Sequence, residues 1–199
     1  MEIDFAYQLR FYLGLFEREL VPWYRRLCLP GSRSFDVGAR EGYVTLLLAR
    51  LSSPGGRAVA FEFDETEYHR LLRNVAANPH LQPPPEASLS RVTERSDGAA
   101  TVSLDDAAYE RYFVPDFVKI DVEGSELKVL RGAARLLSER RPHLVVETHS
   151  ADLERACAES LGEHGYEPLV VQPRRLFPEV RAGHNRWLVA LGASVRPDD

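Results

Sequence analysis

Short apolar runs alternate with amphipathic stretches along most of the chain, and this alternation narrows the possible folds more than any other feature. Runs at 34–37, 58–63, 89–93, 117–120 and 143–147 have the length and composition of buried strands. Helical spacing marks 43–51, 65–78, 104–112, 126–137 and 151–163. Tyr43, Leu46, Leu47 and Leu51 are the expected inward face of the first of these helices. Tyr68, Leu71, Leu72 and Val75 play that part in the second. Strand and helix alternating at this length build βαβ units. The predicted class is therefore α/β: a Rossmann-like, mostly parallel sheet of about seven strands with helices on both faces. The last two runs, 168–171 and 186–191, have no helix between them and are expected to pair as an antiparallel hairpin.

The N-terminal stretch carries Phe5, Leu9, Tyr12, Leu13, Phe16 and Leu20 at helical spacing, with Pro22 as an interruption and Pro30-Gly31 as its end. The reading is a single domain of 199 residues, with a helical extension at 1–32 and a core at 33–192. No apolar run reaches the roughly 18 residues a membrane span requires. MEIDFAYQLR lacks the pattern of a signal peptide. A cytoplasmic protein without a membrane partner is expected. The net charge of −5 argues against a nucleic-acid partner. Cys28 and Cys157 form no CxxC pattern and read as two reduced thiols.

Ligands of open parallel sheets bind outside the carboxyl ends of the strands. Each predicted strand delivers acid there. The first runs into Asp36-Val37-Gly38-Ala39-Arg40-Glu41-Gly42, and the second ends at Glu62-Phe63-Asp64. The third leads to Glu94 and Asp97, the fourth to Asp121-Val122-Glu123-Gly124, and the fifth to Glu147-Thr148-His149. A nicotinamide fingerprint, GxGxxG, would place glycine where Arg40 stands. The DxGxxxG spacing instead suits a nucleoside with a charged amino-acid tail. Glu62, twenty residues after Gly42, stands where an acid accepts ribose hydroxyls.

DVGAREGYVTLLLA (36–49), AFEFDETEYHRLLRNVAAN (60–78), VSLDD (102–106) and FVKIDVEGSELKVLRGA (117–133) resemble the FkbM family of S-adenosylmethionine-dependent methyltransferases. GLFE (14–17), ETH (147–149) and NRWLV (185–189) are similar too, so the resemblance spans about positions 14–191. It implies a class I methyltransferase fold and O-methylation of a sugar, polyketide or other natural product. It also implies that Asp36, Gly38 and Gly42 hold the methionine half of the cofactor, with Ala39, Arg40 and Glu17 beside them. Glu62 would hold the ribose, with Phe63 next to it, and Asp121 and Glu123 would line the transfer site. Arg40 and Glu41 depart from the small polar and apolar residues usual in the family; two readings of Arg40 stand, pairing with the cofactor carboxylate or marking an altered or weakened site. The stretch 81–101 is shorter than usual, and Asp97 is its candidate for the adenine contact.

Methyl transfer to a hydroxyl requires alignment and a base. Asp121, Glu123, Glu147 and His149 are the candidates. Asp121 and Glu123 are not both expected to face the methyl. One of them would orient the cofactor amino group or favour the following helix. Oxygen ligands suit Mg²⁺, but Asp121, Glu123 and His149 lack tight ligand spacing, so no metal is expected. The loop at 172–185 should cover the pocket, with Arg174, Arg175 and His184, together with Glu147, facing a small-molecule substrate. The N-terminal helix would serve as a lid or a homodimer surface. Two other classes compete: a nicotinamide-dependent oxidoreductase, and a nucleoside-binding subunit without catalysis.

Overall fold

The computed structural model describes residues 17–98, 100–173 and 184–192. The predicted helix residues Phe5 to Phe16, and Arg174, Arg175, Phe177 and Arg181 of the 172–185 loop, lie outside them.

The first described helix is α1 (Val21–Leu27). Pro22 stands in its first turn, where its missing N–H costs nothing. Then follow β1 (Arg33–Val37), α2 (Tyr43–Ser52), β2 (Arg57–Glu62), α3 (Glu65–Ala76), β3 (Glu86–Leu89), β4 (Arg91–Val92) and β5 (Thr101–Val102). A short helix α4 (Leu104–Asp106) runs on as a wider π turn (Ala107–Arg111). The chain continues through β6 (Phe117–Ile120), α5 (Glu126–Arg131), α6 (Ala134–Glu139), β7 (His143–Thr148), α7 (Ala151–Glu163), β8 (Leu169–Val171) and β9 (Arg186–Ala190).

Seven strands form one sheet in the order β3-β2-β1-β6-β7-β9-β8. The β1, β2, β3, β6 and β7 contacts are parallel, while β9 runs antiparallel to both β7 and β8. The expected hairpin is present, and β8 runs in the common direction. This is the Rossmann-like arrangement of class I methyltransferases.

The side chains of the two sheet faces are sorted by strand alternation. Phe35, Val37, Val118, Ile120, Leu144 and Val146 enter a core covered by α5, α6 and α7. Phe117, Val145, Trp187 and Val189 enter the core under α1 and α2. Asp36, Lys119 and Glu147 share the parity of this second set, so the sheet carries its charges into the layer beneath α1.

Three expectations are corrected. The third strand of the large sheet is Glu86–Leu89, earlier than 89–93, because this segment pairs in parallel with Val59 to Glu62 of β2 at the sheet edge. Arg91–Val92 pairs instead with Thr101–Val102 in a separate two-stranded ladder. The helix expected at 126–137 breaks after Arg131: the Gly132 carbonyl accepts from the Asp105 amide at 2.9 Å, and the turn lies so close to Thr93 that a Cβ at Gly132 would stand 2.3 Å from its carbonyl oxygen. Asp105 restarts it by accepting from the amides of Arg135 and Leu136 at 3.0 and 2.8 Å.

The inward face of α2 is also displaced. Val44, Thr45, Leu48, Ala49 and Ser52 are buried, while Tyr43, Leu46, Leu47 and Leu51 are half-buried. Small residues turn towards the sheet so that α2 approaches closely. In α3 Leu71 is buried as expected, Tyr68 and Val75 are half-buried, and Leu72 faces solvent. Asn74 takes the remaining inward place and donates to the Glu41 carbonyl at 2.8 Å.

Candidate active site

The carboxyl ends of β1, β6 and β7 converge on a buried group of charges. Lys119 stands opposite Asp36 in the β1–β6 register. Its Nζ lies 3.3 Å from Asp121 Oδ2 and 3.8 Å from Asp36 Oδ1. Burial alone would lower the Lys119 pKa, but Asp121, Asp36, Glu17 and Glu147 outweigh it and raise it. Asp36 also accepts from Thr45 Oγ1 at 2.6 Å, and burial nevertheless lifts its pKa.

Glu17, from the turn before α1, closes the group from above. It accepts from the Tyr24 hydroxyl at 2.8 Å. Burial lifts its carboxyl to about 7, opposed by Lys119 and reinforced by Asp121 and Asp36. Glu147 is wholly buried and accepts from Trp187 Nε1 at 3.2 Å. That burial places Glu147 inside the charge group, not on an open substrate-facing wall as the sequence suggested.

His149 extends the group outward. Its Nδ1 lies 3.1 Å from Glu126 Oε1. Its Nε2 faces Glu123 Oε2 at 3.4 Å, Asp121 Oδ1 at 3.6 Å and Glu147 Oε1 at 3.8 Å. The Glu126 hydrogen bond raises its pKa to about 9; burial opposes this, and the charges of Asp121, Glu126 and Glu147 add to it. Asp121 and Glu123 therefore both approach His149 Nε2. The left-handed φ of 54° at Glu123 bends the chain so that they can.

Atoms of Asp121, Glu123 and His149 come within 4.8 Å of one another, as do those of Glu17, Asp121 and Glu147. Lys119 already brings positive charge to Asp121.

The β1 turn is tied into the protein rather than open. The amides of Gly38 and Ala39 both donate to the Phe61 carbonyl, at 3.0 and 3.1 Å. A Cβ at Gly38 would stand 1.7 Å from the Asp121 carbonyl oxygen, so glycine there lets the β1 and β6 exits touch. Gly42, at φ 87°, starts α2 against Leu71. The Arg40 amide donates to Glu62 Oε2 at 2.7 Å, and those of Phe63 and Asp64 donate to Oε1 at 2.7 and 2.8 Å. Three backbone donors thus fix the Glu62 carboxylate. The Arg40 side chain, on a left-handed backbone of φ 50°, reaches Glu123 at 3.6 Å and Glu41 at 3.9 Å.

Beyond Glu62 a cavity of about 90 Å³ is lined by Gly38, Phe63, Ser90, Arg91, Val122 and Lys128. The Phe63 ring is half exposed and lies under the Arg91 guanidinium at 4.1 Å. Asp97 accepts from the amides of Ala100 and Thr101 at 3.0 and 2.8 Å, which closes the turn before β5. That turn accounts for the acid placed there as an adenine contact. His184 is held by Glu154 of α7 at 2.9 Å, away from the bonds of the charge group.

Lys119 and Glu126 were not among the residues picked from the sequence. A lysine inside the apolar run FVKI was the available signal, since a charge in a buried strand needs partners.

The sequence matches the Methyltransferase FkbM domain over residues 36–182. The chain belongs to the FkbM methyltransferase family. The FkbM methyltransferase from Methylobacillus flagellatus superposes with a TM-score of 0.66 at 18% identity, over 95% of this chain and 56% of that one. The present chain thus spans little more than half of that family member. An S-adenosylmethionine-dependent O-methyltransferase from Thermotoga maritima gives 0.62 at 16% identity, over 91% and 67%. Fibrillarin from Aeropyrum pernix, solved with S-adenosylmethionine bound, gives 0.59 at 18% identity, over 83% and 68%. No curated relative matches the sequence. At these identities the structural matches speak for the fold. No helix among the described residues is long and apolar enough to cross a membrane.

Proposed function

We propose that this FkbM-family domain binds S-adenosylmethionine and transfers its methyl group to a hydroxyl of a small molecule, sugar or natural product. The observation that carries the reading is the buried carboxylate group at the β1, β6 and β7 exits, one strand away from the fixed Glu62. Glu17 Oε1 and Asp36 Oδ1 are buried and accept no hydrogen bond among the described residues. Acids left in that state suit a ligand carrying ammonium and sulfonium charge.

Asp36, Glu17 and Asp121 would hold the cationic amino-acid end, and Glu62 would face the ribose. Phe63 and Arg91 would flank the base in the adjoining cavity. When bound, the cofactor supplies a methyl group made electrophilic by its sulfonium. The protein must bring a hydroxyl into line and remove its proton. His149 Nε2, ringed by Asp121, Glu123 and Glu147, would take that proton.

The amides of Gly38, Ala39 and Arg40 donate within the protein, to Phe61 and Glu62. Backbone donors at this turn are therefore not gathered for a pyrophosphate, which disfavours a nicotinamide cofactor. Calorimetry with S-adenosylhomocysteine and with NAD tests the cofactor. The proposal expects binding of the first alone; binding of NAD alone would overturn it. Transfer of a labelled methyl group to a panel of sugar and phenolic hydroxyls tests the reaction.

A further inference from the structure

We propose that Glu126 is a positioning residue that fixes the ring of His149, so that Nε2 and not Nδ1 takes the acceptor's proton. This rests on the methyltransferase reading above, and it adds a residue that neither the turn motifs nor the charge group had singled out.

Glu126 opens α5 and is fully buried. An acid in the first turn of a helix ordinarily faces solvent and complements the helix dipole. This one points inward. Its Oε1 accepts from the amides of Val122 and Gly124 at 3.2 and 3.0 Å and from His149 Nδ1 at 3.1 Å. A single oxygen therefore joins the β6 exit, which turns through left-handed residues at Glu123 and Gly124, to the β7 exit. Oε1 already accepts from two backbone amides, so it faces Nδ1 as an acceptor and Nδ1 is the donor. The neutral ring then carries its lone pair on Nε2, which is buried and makes no hydrogen bond among the described residues.

The groups facing His149 come from every neighbouring element: Glu126 from α5, Asp121 and Glu123 from the β6 exit, and Glu147 from its own strand. Arg40, from the β1 exit, pairs with Glu123, and Lys119 pairs with Asp121. Before the donor binds, this surplus of acid keeps the imidazole protonated at neutral pH. With a cationic methyl donor held by the same acids, the ring would give up its proton to solvent and Nε2 would be free to accept the hydroxyl proton. In the transfer, the acceptor oxygen bonds to the methyl carbon as the carbon–sulfur bond breaks. The electron pair goes to sulfur, and the hydroxyl proton passes to Nε2.

The test is nitrogen-15 NMR of the histidine rings in the whole chain. It compares the free protein, its S-adenosylhomocysteine complex and its complex with sinefungin, which carries an amine in place of the sulfonium. The wild-type ring should titrate near 9 and show the Nδ1–H form when neutral. Glu126→Gln keeps an acceptor for Nδ1 but removes the charge, and should lower the midpoint by about one unit or more. Sinefungin should lower it further than S-adenosylhomocysteine does. An Nε2–H form in the wild type, or a midpoint unmoved by Glu126→Gln, would overturn the proposal. The wild-type tautomer decides it even if the variant fails to fold. Failure to bind either nucleoside would instead refute the cofactor reading while leaving the tautomer result intact.

Discussion

Lys119 lies opposite Asp36 across the β1–β6 ladder, its ammonium 3.8 Å from that carboxylate and 3.3 Å from Asp121. A single buried cation thus ties together the exits of two adjacent strands. Removing one partner of such a buried group leaves the others uncompensated. Lys119→Met should destabilise the domain by about 3–5 kcal/mol, read as a fall in denaturant midpoint. A variant as stable as the parent would show that the acids are neutral.

The pH dependence of folding follows from two shifts that act in adjoining windows. Glu17 has its folded pKa raised from 4.5 to about 7. Its contribution is intact below 4.5 and is lost as pH rises through about 7. His149 is raised from 6.5 to about 9. Its contribution is intact below 6.5 and is lost as pH rises through about 9. Each is worth about 2–3 kcal/mol, so thermal midpoints should fall from pH 5 to pH 9. Glu17→Gln should flatten the lower half of this decline and stabilise the domain above pH 7. It should also weaken binding of a cationic cofactor. A Glu17→Gln curve parallel to the wild type would show that Glu17 ionises normally.

Gly38→Ala places a methyl group 1.7 Å from the Asp121 carbonyl oxygen, on a backbone with φ +81°. Neither backbone can yield without parting β1 from β6. A loss of about 2–5 kcal/mol is expected, together with loss of S-adenosylhomocysteine binding by calorimetry. Unchanged binding would show that the β1 turn is not part of the cofactor site.

Arg40 tests a different balance. Its side chain is half exposed and its partners stand at 3.6 and 3.9 Å, so Arg40→Ser should change stability by less than about 1 kcal/mol. If the guanidinium meets the cofactor carboxylate, the same change should weaken S-adenosylhomocysteine about tenfold or more. Equal affinity in the variant would restrict Arg40 to pairing with Glu41 and Glu123.

Much of the fold was legible because strand and helix periods differ and most elements are long enough to show them. The turn after β1 and the acid ending β2 were legible as well, since Asp36, Gly38, Gly42 and Glu62 stand at fixed distances along the chain. What stayed hidden depends on contacts between distant segments. The break at Gly132 comes with contacts to Asp105 and Thr93, and the edge strand Glu86–Leu89 is set by pairing with β2. The turn that Asp97 closes was not legible, because it depends on the Ala100 and Thr101 amides folding back onto its carboxylate. Glu126 was not picked, because nothing in its spacing shows that His149 lies 3.1 Å away.

The most direct test of the whole account is a crystal structure of the domain with S-adenosylhomocysteine. The account predicts its amino group among Asp36, Glu17 and Asp121, its ribose on Glu62, and its sulfur on the side of His149 Nε2. A nucleoside bound elsewhere on the sheet, with these acids out of reach, would contradict it.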